Sequence, residues 1–478
     1  MTPLTFVKFI VCINWIQLLL VSGSYGTPSH HFKIFNAIQS TLRLWDSAWN
    51  HNGMSIFLAT IPPGTKLHHG SSSSAPIIGL SWLAFDIRHA LMFVKAPGAA
   101  SFASSINGSS WAETQSDLQR MLQDKPGPAI GWQHEYTTVR TLRVVYFDGL
   151  AAAKTSMGTM DLQDILLGRT GSEKRMSDSE RAEQLCELLQ KKWNTNVDGI
   201  IRMEHGIEVV LCNATSDLLA PTRISKREIA HAGERSMQVD ADGLEELFRT
   251  AFARDRDFGR TRANLHFETM VSGFSYFRPE DLSERPLRLF GASQQQLDQF
   301  RSHVQEMVGT DSVALDTRSR LDWQTVTDMV ISQYADVLLR LASIEDAGTL
   351  TREVEAILWP FFDYDQDIPS IDIVSCASEH IPASYEPSLA SDAVLTVATS
   401  ICETLASLLK SGDDIATSQG VLRDFMAELD WSKWRKCGDC SPGEFCWIPV
   451  WPFGSVADRD SPKCGREVSI EFVNRYWR

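Results

Sequence analysis

The chain has 478 residues, 43% hydrophobic and 22% charged, which is enough to build large cores and is ordinary for a folded globular protein. Its 60 acidic and 45 basic side chains leave a formal net charge of -15, a sign that repels nucleic-acid phosphates and anionic membrane faces. Arginine and lysine are scattered among acids, so the composition argues against nucleic-acid binding.

In chain order, Lys8 precedes an apolar run from Phe9 to Val21, followed by the small residues Ser22-Gly23-Ser24-Tyr25-Gly26. This is the layout of a secretory signal peptide, too short to span a bilayer comfortably, with cleavage expected after Gly26. Its removal takes away Lys8 and Cys12, moves the net charge to about -16, and leaves Cys186, Cys212, Cys376, Cys402, Cys437, Cys440, Cys446 and Cys464. An even set of cysteines in an exported chain reads as disulfides. Proximity in sequence suggests Cys186–Cys212, Cys376–Cys402 and two bridges within the last four. The sequons at Asn107 and Asn213 are glycosylation candidates in that setting.

A helix is predicted over 33–49, with Ile34, Ile38, Leu42 and Trp45 on one stripe. Strands are predicted at 54–60, in KLHHGSS and GLSWLAFD, and at 140–149, with a short helix over 88–95. The Ala/Gly/Ser-rich stretch 97–116 reads as a mobile surface insert. Ser177-Asp-Ser-Glu180 is a capping box that opens a helix over 178–193, and GIEVVLC at 206–212 is a further strand. Beyond about 222 helical spacing dominates, at 241–252, 322–342, 352–362, 392–410 and 421–429, with LHFETMVSGFSYF at 265–277 as a strand-like exception. The expected class is therefore α+β: a signal peptide (1–26), an α/β domain (27–222), a mainly helical domain (223–436) and a Cys-rich tail (437–478) too short to hold itself without disulfides. No apolar run after residue 26 reads as a membrane span, so no stable membrane insertion is expected.

Several motifs fail on spacing. Asp148-Gly149 to Lys154-Thr155 lacks the second glycine of a phosphate loop, where Ala153 stands. Asp363-Tyr-Asp365-Gln-Asp367 begins like a calcium loop, but Ile368 and Val374 occupy the glycine and glutamate positions. The four tail cysteines would suit zinc in a reducing compartment; behind a signal peptide they read as two disulfides, and no metal centre is predicted.

The sharpest constellation is Leu67-His68-His69-Gly70-Ser71, then Trp82-Leu-Ala-Phe85-Asp86 with Ala90 and Phe93, then Glu208-Val-Val-Leu. Cleaving an N-glycosidic bond to nicotinamide builds positive charge on ribose, which a carboxylate stabilises. A histidine can bind ribose hydroxyls, a glycine admits close backbone approach, and an aromatic ring can stack on the nicotinamide. The pattern resembles the His-Tyr-Glu branch of the ADP-ribosyltransferase family over about residues 54–215. That resemblance implies an ADP-ribosyltransferase-like fold with NAD as substrate and Glu208 as the catalytic carboxylate. It also implies that His69 binds ribose, Gly70 meets the carboxamide, Trp82 replaces the tyrosine, and Phe93 supplies the second stacking ring.

A second resemblance spans the mature chain. NHNGMSIFLATIPPGTKLHHG, LRVVYFDGLAAAKTSMGTMDLQD, GIEVVLC and the ending CxxCxxxxFCWIPVWPFGS…SPKC are similar to an uncharacterised family of secreted filamentous-fungal proteins. This implies export and a fungal source and assigns no chemistry. Two readings follow: NAD-dependent ADP-ribosyl transfer or NAD hydrolysis, and a non-catalytic extracellular or cell-wall protein that binds a protein or small-molecule partner.

Overall fold

The computed structural model describes residues 28–91, 93–94, 129–153, 159–169, 176–204, 206–216, 218–229, 259–277, 292–310, 321–364, 370–410, 414–447 and 461–466. The expected leader, the insert 97–116 with Asn107, and the expected helix at 241–252 lie outside the described residues.

The stripe that opens the chain forms α1 (Pro28–Ser40) and α2 (Leu44–Trp49) instead of one helix. Leu42 breaks it: its φ is +56°, its side chain is buried, and its N–H donates to the Tyr146 hydroxyl at 3.2 Å. Then come β1 (Asn52–Ile61), β2 (Lys66–Ser71), β3 (Gly79–Ala84), α3 (Ile87–Leu91), β4 (Ala129–Thr138), β5 (Leu142–Gly149), α4 (Asp161–Leu166) and α5 (Asp178–Cys186). The Ser177 and Glu180 capping box is present at the start of α5, and a π-type turn over Glu187–Lys192 continues that helix. Strands β6 (Gly199–Met203), β7 (Ile207–Ala214), β8 (Leu219–Ile229) and β9 (Asn264–Ser272) complete the sheet.

These nine strands form one sheet in the order β8-β4-β2-β3-β7-β6-β5-β1-β9. Only the β5–β6 pair is parallel; the other neighbours are antiparallel. The sheet runs through residue 222, because β8 spans it, and β9 lies in the stretch that stood out as strand-like. β5 is buried along its whole length, as its continuous run LRVVYFDG requires of a strand covered on both faces. On one face its Tyr146 meets Leu42, between α1 and α2. On the other its Arg143 donates to the carbonyls of Val308 and Thr310, at the end of α6 (Gln294–Gly309).

The helical layer is α7 (Trp323–Ala342), α8 (Ala347–Leu358), α9 (Ile373–Ala377), α10 (Leu389–Lys410) and α11 (Ile415–Leu429). α1 packs on α7, α10 and α11, and one hydrophobic core runs from Phe32 to Phe445. α10 is long and apolar enough to cross a membrane by composition, and half of its most apolar stretch is buried against the fold. Bridges join Cys186 to Cys212 and Cys376 to Cys402, the pairs that proximity suggested; in the tail Cys437 joins Cys446 and Cys440 joins Cys464. The class is mixed α+β with a large sheet, several helices and disulfides.

Candidate functional site

Cross-strand partners in a sheet share a face, and neighbours along a strand point to opposite faces. The register lines up one row across six strands: Arg223 on β8, Glu135 on β4, His68 on β2, Ala84 on β3, Glu208 on β7 and Arg202 on β6. His69 belongs to the other face, where it pairs with His134; their rings meet edge to face at 5.7 Å. The register thus separates His69 from Glu208. The histidine on the Glu208 side of the sheet is His68.

α3 lies over the middle of this row, where the sheet offers small residues. A side chain at Gly70 would meet the Ala90 carbonyl oxygen at 2.2 Å and the Phe93 carbonyl carbon at 2.7 Å. Gly70 is therefore filled by the chain's own backbone, and its freedom from a Cβ seats α3. Trp82 shares the face of Glu208, two residues along β3 from Ala84, and is half-buried against the core. Its carbonyl accepts a hydrogen bond from His69 Nδ1 at 2.6 Å. Phe93, just after α3, is 38% exposed and meets the His89 ring edge to face at 5.4 Å. Asn213 is exposed on β7, while the structure leaves Asn107 undescribed.

Glu208 is 5% exposed. Its Oε2 accepts from Arg202 Nη2 at 2.9 Å, and its Oε1 lies 3.9 Å from His89 Nε2. Arg202 is wholly buried and also forks onto Asp178, at the first turn of α5, at 2.9 and 3.2 Å. Burial alone would pull the Arg202 pKa down; Asp178 and Glu208 outweigh it and raise the pKa above its ordinary value, so the guanidinium stays charged. Glu204, in the turn between β6 and β7, brings a third buried group to His89 and Glu208: one ligand atom from each of these residues lies within 4.8 Å of the others. Gly206 makes room for this, since a Cβ there would sit 2.6 Å from the His89 ring.

On the far side of α3, His68 is 6% exposed, and its Nδ1 has no hydrogen-bond partner among the described residues. Burial lowers its pKa, with Glu135 and Asp86 partly opposing, so it is held neutral. Ile87, Gln133, Glu135, Arg223 and Ser225 line a small cavity beside it. His69 is also lowered by burial, against the pull of its bond to Trp82.

Sequence reasoning singled out Glu208 but missed His89, Arg202, Glu204 and Asp178. The available signal was Arg202-Met-Glu204-His-Gly206-Ile-Glu208, in which charges fall on the alternate positions 202, 204 and 208, with Gly206 between, flanked by the apolar Ile200-Ile201 and Val209-Val210-Leu211. Period-two charge inside an apolar sheet marks a buried ionic row.

Residues 30–125 and 134–234 match the family model of the YPL277C N-terminal domain, a region that holds α1 through β8. The uncharacterized protein YPL277C of Saccharomyces cerevisiae is 28% identical over 373 residues, which cover 65% of this chain and 74% of that protein. The uncharacterized protein YOR389W of the same yeast is 28% identical over 383 residues, covering 68% of this chain and 60% of that protein. No solved structure matches, so the expected ADP-ribosyltransferase-like fold has no structural neighbour behind it. The region that holds β1 to β8 is thus similar to the YPL277C N-terminal domain, and the similarity points to an uncharacterised family.

Proposed function

We propose that the chain is an exported, non-catalytic interaction protein of the cell surface or wall, with a protein or small-molecule partner, and that it does not turn over NAD. The seat of Glu208 carries this reading. A carboxylate that steadies developing charge on ribose must face the substrate and reserve its charge for the transition state. Glu208 instead lies beneath α3, bound to Arg202, on the side of the sheet away from His69. Gly70, the residue assigned to the carboxamide, is packed against Ala90 and Phe93. Export is supported by the disulfides, since all eight cysteines after residue 26 are paired, as suits an oxidising compartment.

The test is incubation of the purified, disulfide-intact chain with NAD, with Glu208→Gln alongside. No nicotinamide release above buffer from either protein is expected. Release by wild type that Glu208→Gln lacks would overturn the reading in favour of ADP-ribosyl transfer or NAD hydrolysis.

A further inference from the structure

We infer that His89, Glu204 and Glu208 form a binding site for one divalent transition-metal ion, zinc or manganese, under α3 at the β6–β7 turn. The inference is independent of whether the protein is exported or acts on NAD.

Three features of the cluster support it. The first is spacing: an ion about 2.1 Å from each of two ligand atoms leaves them roughly 3–4 Å apart. His89 Nε2 and Glu208 Oε1, 3.9 Å apart, meet this spacing, and Glu204 brings an oxygen within 4.8 Å of both, a looser approach that its side chain closes on the ion. The second is the donor set. One imidazole and two carboxylates suit zinc or manganese better than the all-oxygen shells that calcium and magnesium favour. The third is support around the ligands. Arg202 holds Glu208 by Oε2, leaving Oε1 turned to His89, and Asp178 braces Arg202 in turn. Gly206 lets the imidazole press against the turn that carries Glu204. Outer hydrogen bonds of this kind orient metal ligands. All three ligands are buried, at 2%, 3% and 5% exposure, which limits competition from water.

The other described group with metal-ligand spacing, Cys437, Cys440 and Cys464, has its sulfurs committed to disulfides. A metal bound by this protein is therefore expected on nitrogen and oxygen, not on sulfur.

The experiment uses the untagged full chain with its disulfides intact, stripped by a chelator and titrated with Zn²⁺, then separately with Mn²⁺, by calorimetry. One site per chain is expected for at least one of the two ions. His89→Gln and Glu204→Gln should each weaken it by at least about 100-fold, more than loss of an outer partner usually costs. Failure of wild type to bind either ion overturns the site, as does binding that both folded variants retain unchanged. If the variants do not fold, X-ray absorption of the metal-loaded wild type decides. A first shell of nitrogen and oxygen with imidazole scattering supports the site, and a sulfur shell overturns it.

Discussion

Glu208 and Arg202 face each other as cross-strand partners on β7 and β6, 2.9 Å apart and both buried, while His69 two strands away points to the opposite side of the sheet. The carboxylate that the sequence pattern offers for chemistry is thus tied to a structural cation. That cation is held from its other side by Asp178 at the first turn of α5, so the pair fastens a helix to the sheet.

Gly70→Ala tests the same region from the other side of α3. The added methyl would lie 2.2 Å from the Ala90 carbonyl, which is backbone and cannot swing aside. Displacing α3 is expected to cost about 1–3 kcal/mol, in the range of overpacked cores. The midpoint of denaturant unfolding should fall accordingly. An unchanged midpoint would show that the glycine is not needed to seat the helix.

The fold was legible where burial on both faces forces a continuous apolar run, as in β1, β5 and β7. It was also legible where local chemistry is specific, as in the Ser177–Glu180 cap and the cysteine spacings. β4 (AIGWQHEYTT) and β8 (LAPTRISKREI) escaped notice because their polar residues alternate without an apolar period, and β8 is an edge strand that tolerates Pro221 and charge. β6 is only five residues long, and Arg202 interrupts its apolar pattern. Of two adjacent histidines in a strand, one must face each way, and nothing in the letters His68-His69 says which. The register settled it.

Asp148 should give a pH signature. Burial pushes its pKa up to about 7 from an ordinary 3.8, against the hydrogen bond it accepts from the Ser55 N–H at 2.8 Å. Between those values the folded chain holds a proton that the unfolded chain has released. The resulting stabilisation is fully present below about pH 4 and lost as pH rises through about 7. Asp148→Asn should remove one proton's worth of slope in that window, about 1.4 kcal/mol per pH unit, relative to wild type. Unfolding free energies measured from pH 4 to 8 check this; parallel curves for the two proteins would contradict it.

The Cys376–Cys402 bridge fastens α9 to α10 and closes a chain segment with a sequence separation of 26. Chain-entropy reasoning assigns such a closure about 3.5 kcal/mol. The double variant Cys376→Ala/Cys402→Ala should therefore unfold at distinctly lower denaturant. A loss under about 1 kcal/mol would mean that the packing of α9 on α10 already restrains the unfolded chain.

The most direct measurement is the melting temperature of Glu208→Gln. If Glu208 is a structural partner, the amide strands part of the buried Arg202 charge. Asp178 stays in place, so the expected loss is about 2–3 kcal/mol, under the roughly 3–5 kcal/mol of a fully broken buried pair, and the variant melts below wild type. A variant that melts at or above wild type would contradict this account, because it would mark Glu208 as a carboxylate kept for chemistry at the expense of stability.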